Sequence, residues 1–304
     1  MGGSGFVGRN LVRRLENSSR ELVVIDRAPD STGTFQGTFI EGDAQDPEFV
    51  ASVLRDVRPE TVYHLAANSD IASGIEDASL DFGDTLMTTV ALRDSLARHP
   101  ATKLVFASSS AIFGTSNSPL SEESAELPNP LSWYGKAKLA SEYVLESLAA
   151  TQPEMTIVMV RFPNVVGPLA THGVVFDFIR KLQRDPSRLN VLGDGNQTKP
   201  YVHVSELVEG IDFFLKRAAA GITRVNIGPR DLVDVKGIVA EVCSALDVSP
   251  DVFYEDSPVG WIGDVPRYEF DTTKMLEAGF SVKLSSREAV RRAAEDLIEE
   301  WAIA

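Results

Sequence analysis

Tyr134 and Lys138 are the residues of this sequence whose types and spacing best suit proton-transfer chemistry. They lie four positions apart in S-W-Y-G-K-A-K-L-A-S-E, so a helix would place both on one face. A phenol ordinarily has a pKa of about 10, and a neighbouring ammonium stabilises the phenolate. The pair can therefore supply a base that takes the proton of an alcohol. By itself, the spacing is more typical of an ordinary helix surface.

A serine cluster strengthens the chemical interpretation. Ser108, Ser109 and Ser110 follow the apolar segment K-L-V-F-A, where a buried strand would end. Ligands of open α/β sheets bind at the carboxyl ends of the strands, so a hydroxyl here can hydrogen-bond the reacting oxygen. We expect Ser109 to pass its proton towards Tyr134. For Ser108 and Ser110, a polar cap at the end of the strand is an equally good interpretation.

The chain opens with a glycine-rich segment, M-G-G-S-G-F-V-G, directly before an amphipathic stretch. Gly2, Gly5 and Gly8 predict a tight turn that brings backbone amides to a pyrophosphate at a helix N-terminus. The apolar run 22–25 then ends in Asp26, near the spacing expected for the acid that binds the adenosine ribose. The acid favours NAD over NADP, whereas the neighbouring Arg27 could tolerate a phosphate. The alternative is a glycine turn and an unrelated surface aspartate.

Strand and helix patterns alternate around these residues. Short apolar runs predict buried parallel strands at 22–25, 61–67, 104–107, 156–160 and 225–227. Helical spacing between and after them predicts helices at 7–15, 49–54, 86–96, 134–148, 174–182, 207–215, 234–246 and 285–301, the last with a Ser285–Glu288 capping box. The fold class is therefore α/β, with a Rossmann-type doubly wound parallel sheet and a smaller C-terminal α/β substrate-binding domain.

We expect residues 1–166 to form the nucleotide-binding domain, with 201–228 returning to it, and residues 167–304 to form mainly the substrate domain. Only Met1 precedes the first glycine, so the first strand of a Rossmann unit is missing from this sequence. We expect that strand between the strands at 22–25 and 104–107. A truncated gene product would account for its absence.

Composition narrows the class of protein. The 304 residues include 29 basic and 44 acidic side chains, a formal charge of −15, which argues against nucleic acid as a partner. No apolar run approaches the roughly 20 residues of a membrane span. The single cysteine, Cys243, and the lack of a secretory pattern favour the cytoplasm. No metal site is expected.

The motifs together resemble the extended short-chain dehydrogenase/reductase superfamily, and within it the UDP-glucose 4-epimerase-like branch of the NAD-dependent epimerase/dehydratase family. The resemblance runs almost from end to end. Its segments are GGSGFVG, GDAQD, HLAA, SSSAIFG, YGKAK, RFPNVVGP, GDGNQTKPYVHV and GDVP.

The resemblance implies a role for each matching residue. Ser109, Tyr134 and Lys138 would be catalytic. NAD would contact the following residues: Gly2, Gly5, Phe6, Val7, Gly8, Asp26, Arg27, Asp43, Ala44, Leu65, Ala66, Ala67, Tyr134 and Lys138. A nucleotide sugar would contact Ser109, Ser110, Asn164, Lys199 and Tyr201. The family often forms homodimers through two helices per subunit, here near 86–96 and 134–148.

Departures from the family pattern point to the reaction. Related dehydratases carry an Asp-Glu pair where this chain has Ser110 and Ala111, and related decarboxylases keep the glutamate. Epimerisation by removal and return of hydride, through a keto sugar, is therefore the expected reaction. The alternatives are an NAD-dependent dehydrogenase of a smaller polyol or hydroxy acid, and a noncatalytic NAD-binding regulator. Asp84 and Lys199 replace a usual asparagine and arginine, and Arg161 or Arg267 could compensate at the diphosphate.

Overall fold

The computed structural model describes residues 1–16, 21–29, 35, 37–116, 118–122, 128–260 and 265–303. These residues form two compact units. The first unit contains the described residues of Met1–Ile112, Pro128–Arg161 and Val208–Val225, and the second contains those of Phe113–Leu127, Phe162–Leu207 and Asn226–Ala304. The domain boundary after residue 166 stays a prediction. Part of the GDVP segment lies outside the described residues.

The strands confirm the predicted α/β class. They are β1 (Val23–Asp26), β2 (Thr38–Glu41), β3 (Thr61–His64), β4 (Lys103–Ala107), β5 (Thr156–Arg161), β6 (Asn164–Val166), β7 (Arg188–Val191), β8 (Thr198–Lys199), β9 (Tyr201–His203), β10 (Gly221–Asn226), β11 (Val233–Asp234) and β12 (Asp251–Tyr254). The main sheet has the order β10-β5-β4-β3, and β1 pairs in parallel with β2. The strand predicted at 61–67 ends early, at His64. β2 was not predicted, because only two of its four residues are apolar and none is buried.

The helices separate these strands. They are α1 (Phe6–Glu16), α2 (Pro47–Val57), α3 (Ile71–Glu76), α4 (Ala78–Asp81), α5 (Thr88–Arg98), α6 (Trp133–Thr151), α7 (Val174–Arg184), α8 (Val204–Arg217), α9 (Val235–Leu246), α10 (Thr273–Glu277) and α11 (Ser286–Ile303). A π-helical segment, Phe82–Met87, leads into α5. Among the described residues, no helix combines the length and apolarity that a bilayer crossing requires.

The core of the first unit explains why β4 and β5 are apolar without alternation. All six residues of β5 are buried, as are the last four of β4. A parallel strand covered by helices on both faces has no solvent side. Leu92 and Leu96 of α5 pack with Leu145 and Leu148 of α6 in this core. The consequence is a rigid strand end at Ala107, immediately before the serine cluster.

The start of the chain lies between β1 and β3. The Met1 amino group donates to the Tyr63 carbonyl at 2.9 Å, and the Leu65 N–H donates to the Met1 carbonyl at 3.0 Å. On the other side, the Gly2 N–H donates to the Ile25 carbonyl at 2.9 Å. Because Met1 contacts β3 on the side away from β1, the second neighbour expected for the first strand, the strand at 104–107, is wrong. That strand is β4, and β3 already pairs with it in parallel.

The second unit has its own apolar core. Ile179 and Leu182 of α7, Ile238 of α9 and Val290 of α11 are buried together, and short strand pairs surround them. The predicted capping box at the start of α11 is confirmed. The Ser285 N–H donates to the Glu288 carboxylate at 2.8 Å, and the Glu288 N–H donates back to the Ser285 hydroxyl at 3.3 Å.

Candidate active site

The glycine loop packs closely at Gly2 and Gly8 and is open at Gly5. A Cβ on Gly2 would approach the Ala66 nitrogen within 2.5 Å, and one on Gly8 would approach the Gly2 carbonyl oxygen within 2.3 Å. These two glycines let the loop pack against the chain after β3 and against itself. At Gly5, which is exposed, a Cβ would meet only the Gly2 oxygen, at 3.5 Å. The open side of the loop is therefore at Gly5, directly before the first turn of α1.

The first turn of α1 supplies the donors for an anion. Phe6 and Val7 are the first residues of the helix. The N–H groups of a first helical turn have no carbonyl acceptor within the helix, so they can donate to a ligand. The helix N-terminus also carries a partial positive charge. The loop and the helix thus fit the diphosphate of a dinucleotide.

Asp26 joins the glycine loop to the end of β1. Its Oδ2 accepts the Ser4 N–H at 2.9 Å, and its Oδ1 accepts the Arg27 N–H at 2.8 Å. A carboxylate oxygen can accept a second donor, so both bonds leave capacity for ribose hydroxyls. The Arg27 guanidinium forms two hydrogen bonds with Asp84, at 2.9 and 3.0 Å. Arg27, the arginine that could tolerate a phosphate, is therefore already paired with a carboxylate.

The residues expected at the adenine and the cofactor wall belong to the same unit. Asp43 and Ala44 follow β2, where the Gly42 N–H donates to the Asp26 carbonyl at 2.9 Å. Ala44 is buried, and Asp43 is exposed. The predicted wall, Leu65, Ala66 and Ala67, is half-buried and directly follows β3. The structure thus places the ends of β1, β2 and β3 together with the glycine loop, as a dinucleotide site requires.

Ser109 and Tyr134 are in direct contact. The Ser109 and Tyr134 hydroxyls share a hydrogen bond, and Ser109 Oγ also accepts the Ala111 N–H at 3.1 Å. Lys138 lies one turn along α6 from Tyr134, and its Nζ is 5.8 Å from the centre of the phenol ring. The structure therefore brings the three expected catalytic side chains together, and Ser110 begins a short 3-10 turn beside them.

Burial sets the charge of both titratable groups. It raises the pKa of Tyr134 to about 12, with Asp81 adding to the rise and the Ser109 hydrogen bond opposing it. It also lowers the pKa of Lys138 to about 7, against the opposing effect of Glu142. In this state Tyr134 holds its proton at neutral pH. A positive charge brought to the site would stabilise the phenolate and make Tyr134 a usable base.

A buried ionic network, which sequence reasoning missed, lies beneath Lys138. Glu142 follows Lys138 by one helical turn and is 1% exposed. Its carboxylate accepts two hydrogen bonds from Arg161, at 2.6 and 3.0 Å, and one from the Ser108 hydroxyl. Ser108 is therefore a structural partner at the end of β4. Arg161 is held in the interior, so of the two arginines considered for the diphosphate only Arg267 is exposed.

Two further residues position the start of α6. Asp81 is 1% exposed and accepts the Tyr134 backbone N–H. At Gly135, a Cβ would come within 2.4 Å of the Ala111 carbonyl oxygen, so only glycine permits this approach of the helix to the serine segment. The signal for Gly135 was available in Y-G-K, since a glycine in a helix interior needs a packing reason. Asp81 carried no such signal.

Three of the residues expected at the nucleotide sugar, Asn164, Lys199 and Tyr201, lie in the second unit, whereas Ser109 and Ser110 belong to the first. Asn164 begins β6, pairs with Tyr201 of β9, and has its amide 3.4 Å from the Tyr268 hydroxyl. Lys199 ends β8 and is half-buried. Tyr201 is 6% exposed and belongs to the apolar core. Their contacts with a substrate stay predictions.

The sequence profile of the NAD dependent epimerase/dehydratase family matches residues 1–228. The chain belongs to this family. A UDP-glucose 4-epimerase from Neisseria meningitidis serogroup C is 23% identical over 322 residues, covering 91% of this chain and 94% of its own. The crystal structure of a Thermus thermophilus UDP-glucose 4-epimerase with NAD is 27% identical, with a TM-score of 0.85 over 97% of this chain and 96% of that one. MoeE5 in complex with UDP-glucose and NAD is 28% identical, with a TM-score of 0.87 over 100% and 98%.

Membership in the NAD-dependent epimerase/dehydratase family confirms that the protein is an enzyme with NAD as its cofactor. The residues present fit this cofactor. The glycine loop is open at Gly5, the first turn of α1 offers backbone donors, and Asp26 can accept ribose hydroxyls. The family resemblance drawn from the motifs is likewise confirmed.

Proposed function

We propose that this enzyme interconverts UDP-glucose and UDP-galactose by inverting the hydroxyl at C4 of the sugar. The observation that carries the proposal is the hydrogen bond between Ser109 and Tyr134, with Lys138 one turn further along the same helix. This set can remove a proton from an alcohol and return it. The named relatives, which act on UDP sugars, supply the substrate class.

In the mechanism that follows from these residues, Tyr134 accepts the C4 hydroxyl proton and later returns it. Bound NAD would supply the acceptor, and afterwards the donor, of the hydride. Ser109 hydrogen-bonds the reacting oxygen and keeps it in reach of the phenol. Lys138 provides the local positive charge that favours the phenolate. Because the hydride and the proton that leave C4 and its hydroxyl both return to the sugar, the sugar undergoes no net oxidation.

The residues next to Ser109 support epimerisation over dehydration. Elimination of water needs an acid and a base in addition to the tyrosine. Here the two following positions are Ser110 and Ala111, which form a 3-10 turn and carry no carboxylate. Asp81, the acid that touches Tyr134, is buried and already accepts from Asn68 at 3.0 Å. We therefore assign the simple oxidation and return of hydride to this site.

For the nucleotide diphosphate we propose Asn164, Lys199 and Tyr201, with Arg267 as a second cation. Arg267 is 62% exposed and bonds to Glu269 at 2.8 Å, so it can exchange this partner for a phosphate. Lysine neutralises a phosphate as a point charge, whereas arginine can form a bidentate fork. The assignment predicts that Arg267→Ala raises the KM for the nucleotide sugar and leaves NAD affinity unchanged.

We propose a homodimer formed through the α5 and α6 region. Leu80, Met87, Trp133 and Tyr143 are 40, 46, 41 and 54% exposed in the first unit. Large apolar side chains on neighbouring surface elements are typical of an interface. A second copy of the chain is the proposed partner. Light scattering on the purified enzyme would give twice the 33.0 kDa chain mass, and Met87→Glu would shift it towards the monomer.

The function is tested by incubating the protein with NAD and UDP-glucose and measuring UDP-galactose and NADH together. We expect UDP-galactose without stoichiometric NADH. Tyr134→Phe should abolish turnover, and Tyr143→Phe, which removes an exposed hydroxyl from the same helix, should not. NADH that accumulates with turnover would instead identify a dehydrogenase. Activity that persists in Tyr134→Phe would remove the proposed base.

A further inference from the structure

A second acid, which the dinucleotide motif does not include, contacts Arg27, the residue directly after β1. Asp84 lies in the π-helical segment Phe82–Met87 and forms a bidentate pair with Arg27, at 2.9 and 3.0 Å. The Gln45 amide donates to the same carboxylate at 2.9 Å. The Asp84 carboxylate thus accepts hydrogen bonds from two residues, Arg27 and Gln45. Arg27 directly follows Asp26, the acid expected to bind the ribose.

Arg27 is the cation that a 2′-phosphate would need at this position. An enzyme that takes NADP typically places an arginine near the end of this strand, where the guanidinium forks onto the phosphate. Here the fork is directed onto Asp84. The acids Asp26, Asp43 and Asp84 all contribute to a raised pKa of the Arg27 guanidinium. A 2′-phosphate would therefore meet an already neutralised arginine among carboxylates.

We propose that Asp84 is a specificity-determining residue that favours NAD over NADP by occupying the Arg27 guanidinium. Asp26 alone accepts the ribose hydroxyls. Asp84 occupies the Arg27 guanidinium, which could otherwise neutralise the charge of a 2′-phosphate. The proposal concerns the cofactor only. It stands or falls independently of which sugar the enzyme takes.

The geometry favours a fixed pair in spite of its exposure. Arg27 is 61% exposed and Asp84 is 19% exposed, and a simple surface pair contributes little. This pair is bidentate, however, and the Gln45 amide donates to the same carboxylate, which helps to hold its orientation. The π-helical turn also widens the backbone at Asp84, a feature that often occurs at functional sites. To turn the same pair of donors onto a phosphate, Arg27 must give up both hydrogen bonds.

The test is a double-mutant cycle on cofactor binding. Dissociation constants for NAD and NADP are measured by calorimetry for the wild type, Asp84→Asn, Arg27→Ala and the double variant. Asp56→Asn serves as the matched control, because Asp56 is an exposed acid paired with Arg55, away from the glycine loop. Asparagine keeps the size of the side chain and can still accept from Gln45.

The expected result is a gain on the order of tenfold in NADP affinity for Asp84→Asn, with NAD affinity changed by less than about threefold. The gain should vanish in the Arg27→Ala background, and Asp56→Asn should bind both cofactors as the wild type does. An unchanged NAD-to-NADP ratio in Asp84→Asn would overturn the proposal. A gain that survives without Arg27 would also overturn it, since Asp84 would then act only as a negative charge. NAD binding by each variant with an affinity close to that of the wild type confirms that the variant folds.

Discussion

The ammonium of Lys138 donates to the main-chain carbonyl of Ala107, with Nζ 2.6 Å from the oxygen. This bond ties the middle of α6 to the last residue of β4, two positions before Ser109. The helix and the strand end are therefore fixed to each other by the same side chain that supplies the charge for Tyr134. The centre of the Phe106 ring lies 4.9 Å from Lys138 Nζ, so an apolar ring packs against the ammonium.

Lys138→Met should abolish turnover and stabilise the fold at low pH. Because the folded-state pKa of Lys138 is about 7, the folded protein carries a buried ammonium below that pH. The free energy of unfolding should rise by about 1 to 2 kcal/mol in the variant at pH 6, since an apolar side chain removes the desolvation cost.

The pH dependence of this difference follows from the sign of the shift. A lysine with a lowered folded-state pKa costs most below that pKa, and the cost decreases as the pH rises towards the ordinary value of about 10.4. Urea unfolding at pH 6 and pH 9 should therefore show a smaller advantage at pH 9. Lys136→Met, at an exposed position of α6, is the control. An advantage that grows with pH would contradict the buried ammonium.

The neighbouring serines should respond differently to replacement by alanine. Ser109→Ala removes the hydroxyl bonded to Tyr134 and should lower kcat on the order of 10²-fold, with little change in stability. Ser108→Ala removes a donor from the buried Glu142 and should cost about 1 to 3 kcal/mol of stability, with kcat retained. Steady-state kinetics and thermal unfolding separate the two effects. Equal losses of kcat would show that the serines share one role.

Glu142→Gln should be among the most destabilising single substitutions in the first unit. It leaves the Arg161 guanidinium, 6% exposed, without its counter-charge, which typically costs about 3 to 5 kcal/mol. Glu48→Gln breaks an exposed pair with Arg98 and should cost less than about 1 kcal/mol. Denaturant unfolding measures both. A small effect at Glu142 would mean that water reaches Arg161.

The three motif glycines should separate packing from cofactor binding. Gly2→Ala and Gly8→Ala place a Cβ against backbone and should lower the melting temperature. Gly5→Ala meets no close contact, so its stability should stay near that of the wild type, and its NAD affinity should fall because the new methyl occupies the open side of the loop. Calorimetric titration with NAD checks this. Normal affinity in Gly5→Ala would move the diphosphate away from the loop.

Much of the first unit could be predicted from local patterns. The apolar runs of β4 and β5 and the helical spacing of α6 predicted elements close to those observed, because a buried parallel strand has a strong signature. The first strand was expected beside the strand at 104–107, which is wrong because Met1 bonds to β3. Strand order is set by the crossovers and leaves no local signal. β2 was not predicted, because its apolar run is only two residues long, Phe39 and Ile40, and neither is fully buried.

The residues of the site likewise divide into those that could be predicted from the sequence and those that could not. The motif residues Ser109, Tyr134 and Lys138 were identifiable because each has a chemical reason to be there. Glu142 and Asp81 were not, because a single acid in a helical stretch reads as a surface residue until its buried partner is known. The pairing of Arg27 with Asp84 joins positions 57 residues apart and could not be read from either one.

In the proposed reaction, one hydride leaves C4 of the sugar and returns to the same carbon. This reaction is tested most directly by converting UDP-glucose deuterated at C4 in the presence of NAD, with the product analysed by NMR and mass spectrometry. We expect UDP-galactose that retains the deuterium at C4, in unlabelled water, with no accumulation of reduced cofactor. Loss of the label to solvent, or deuterated NADH in proportion to product, would contradict it.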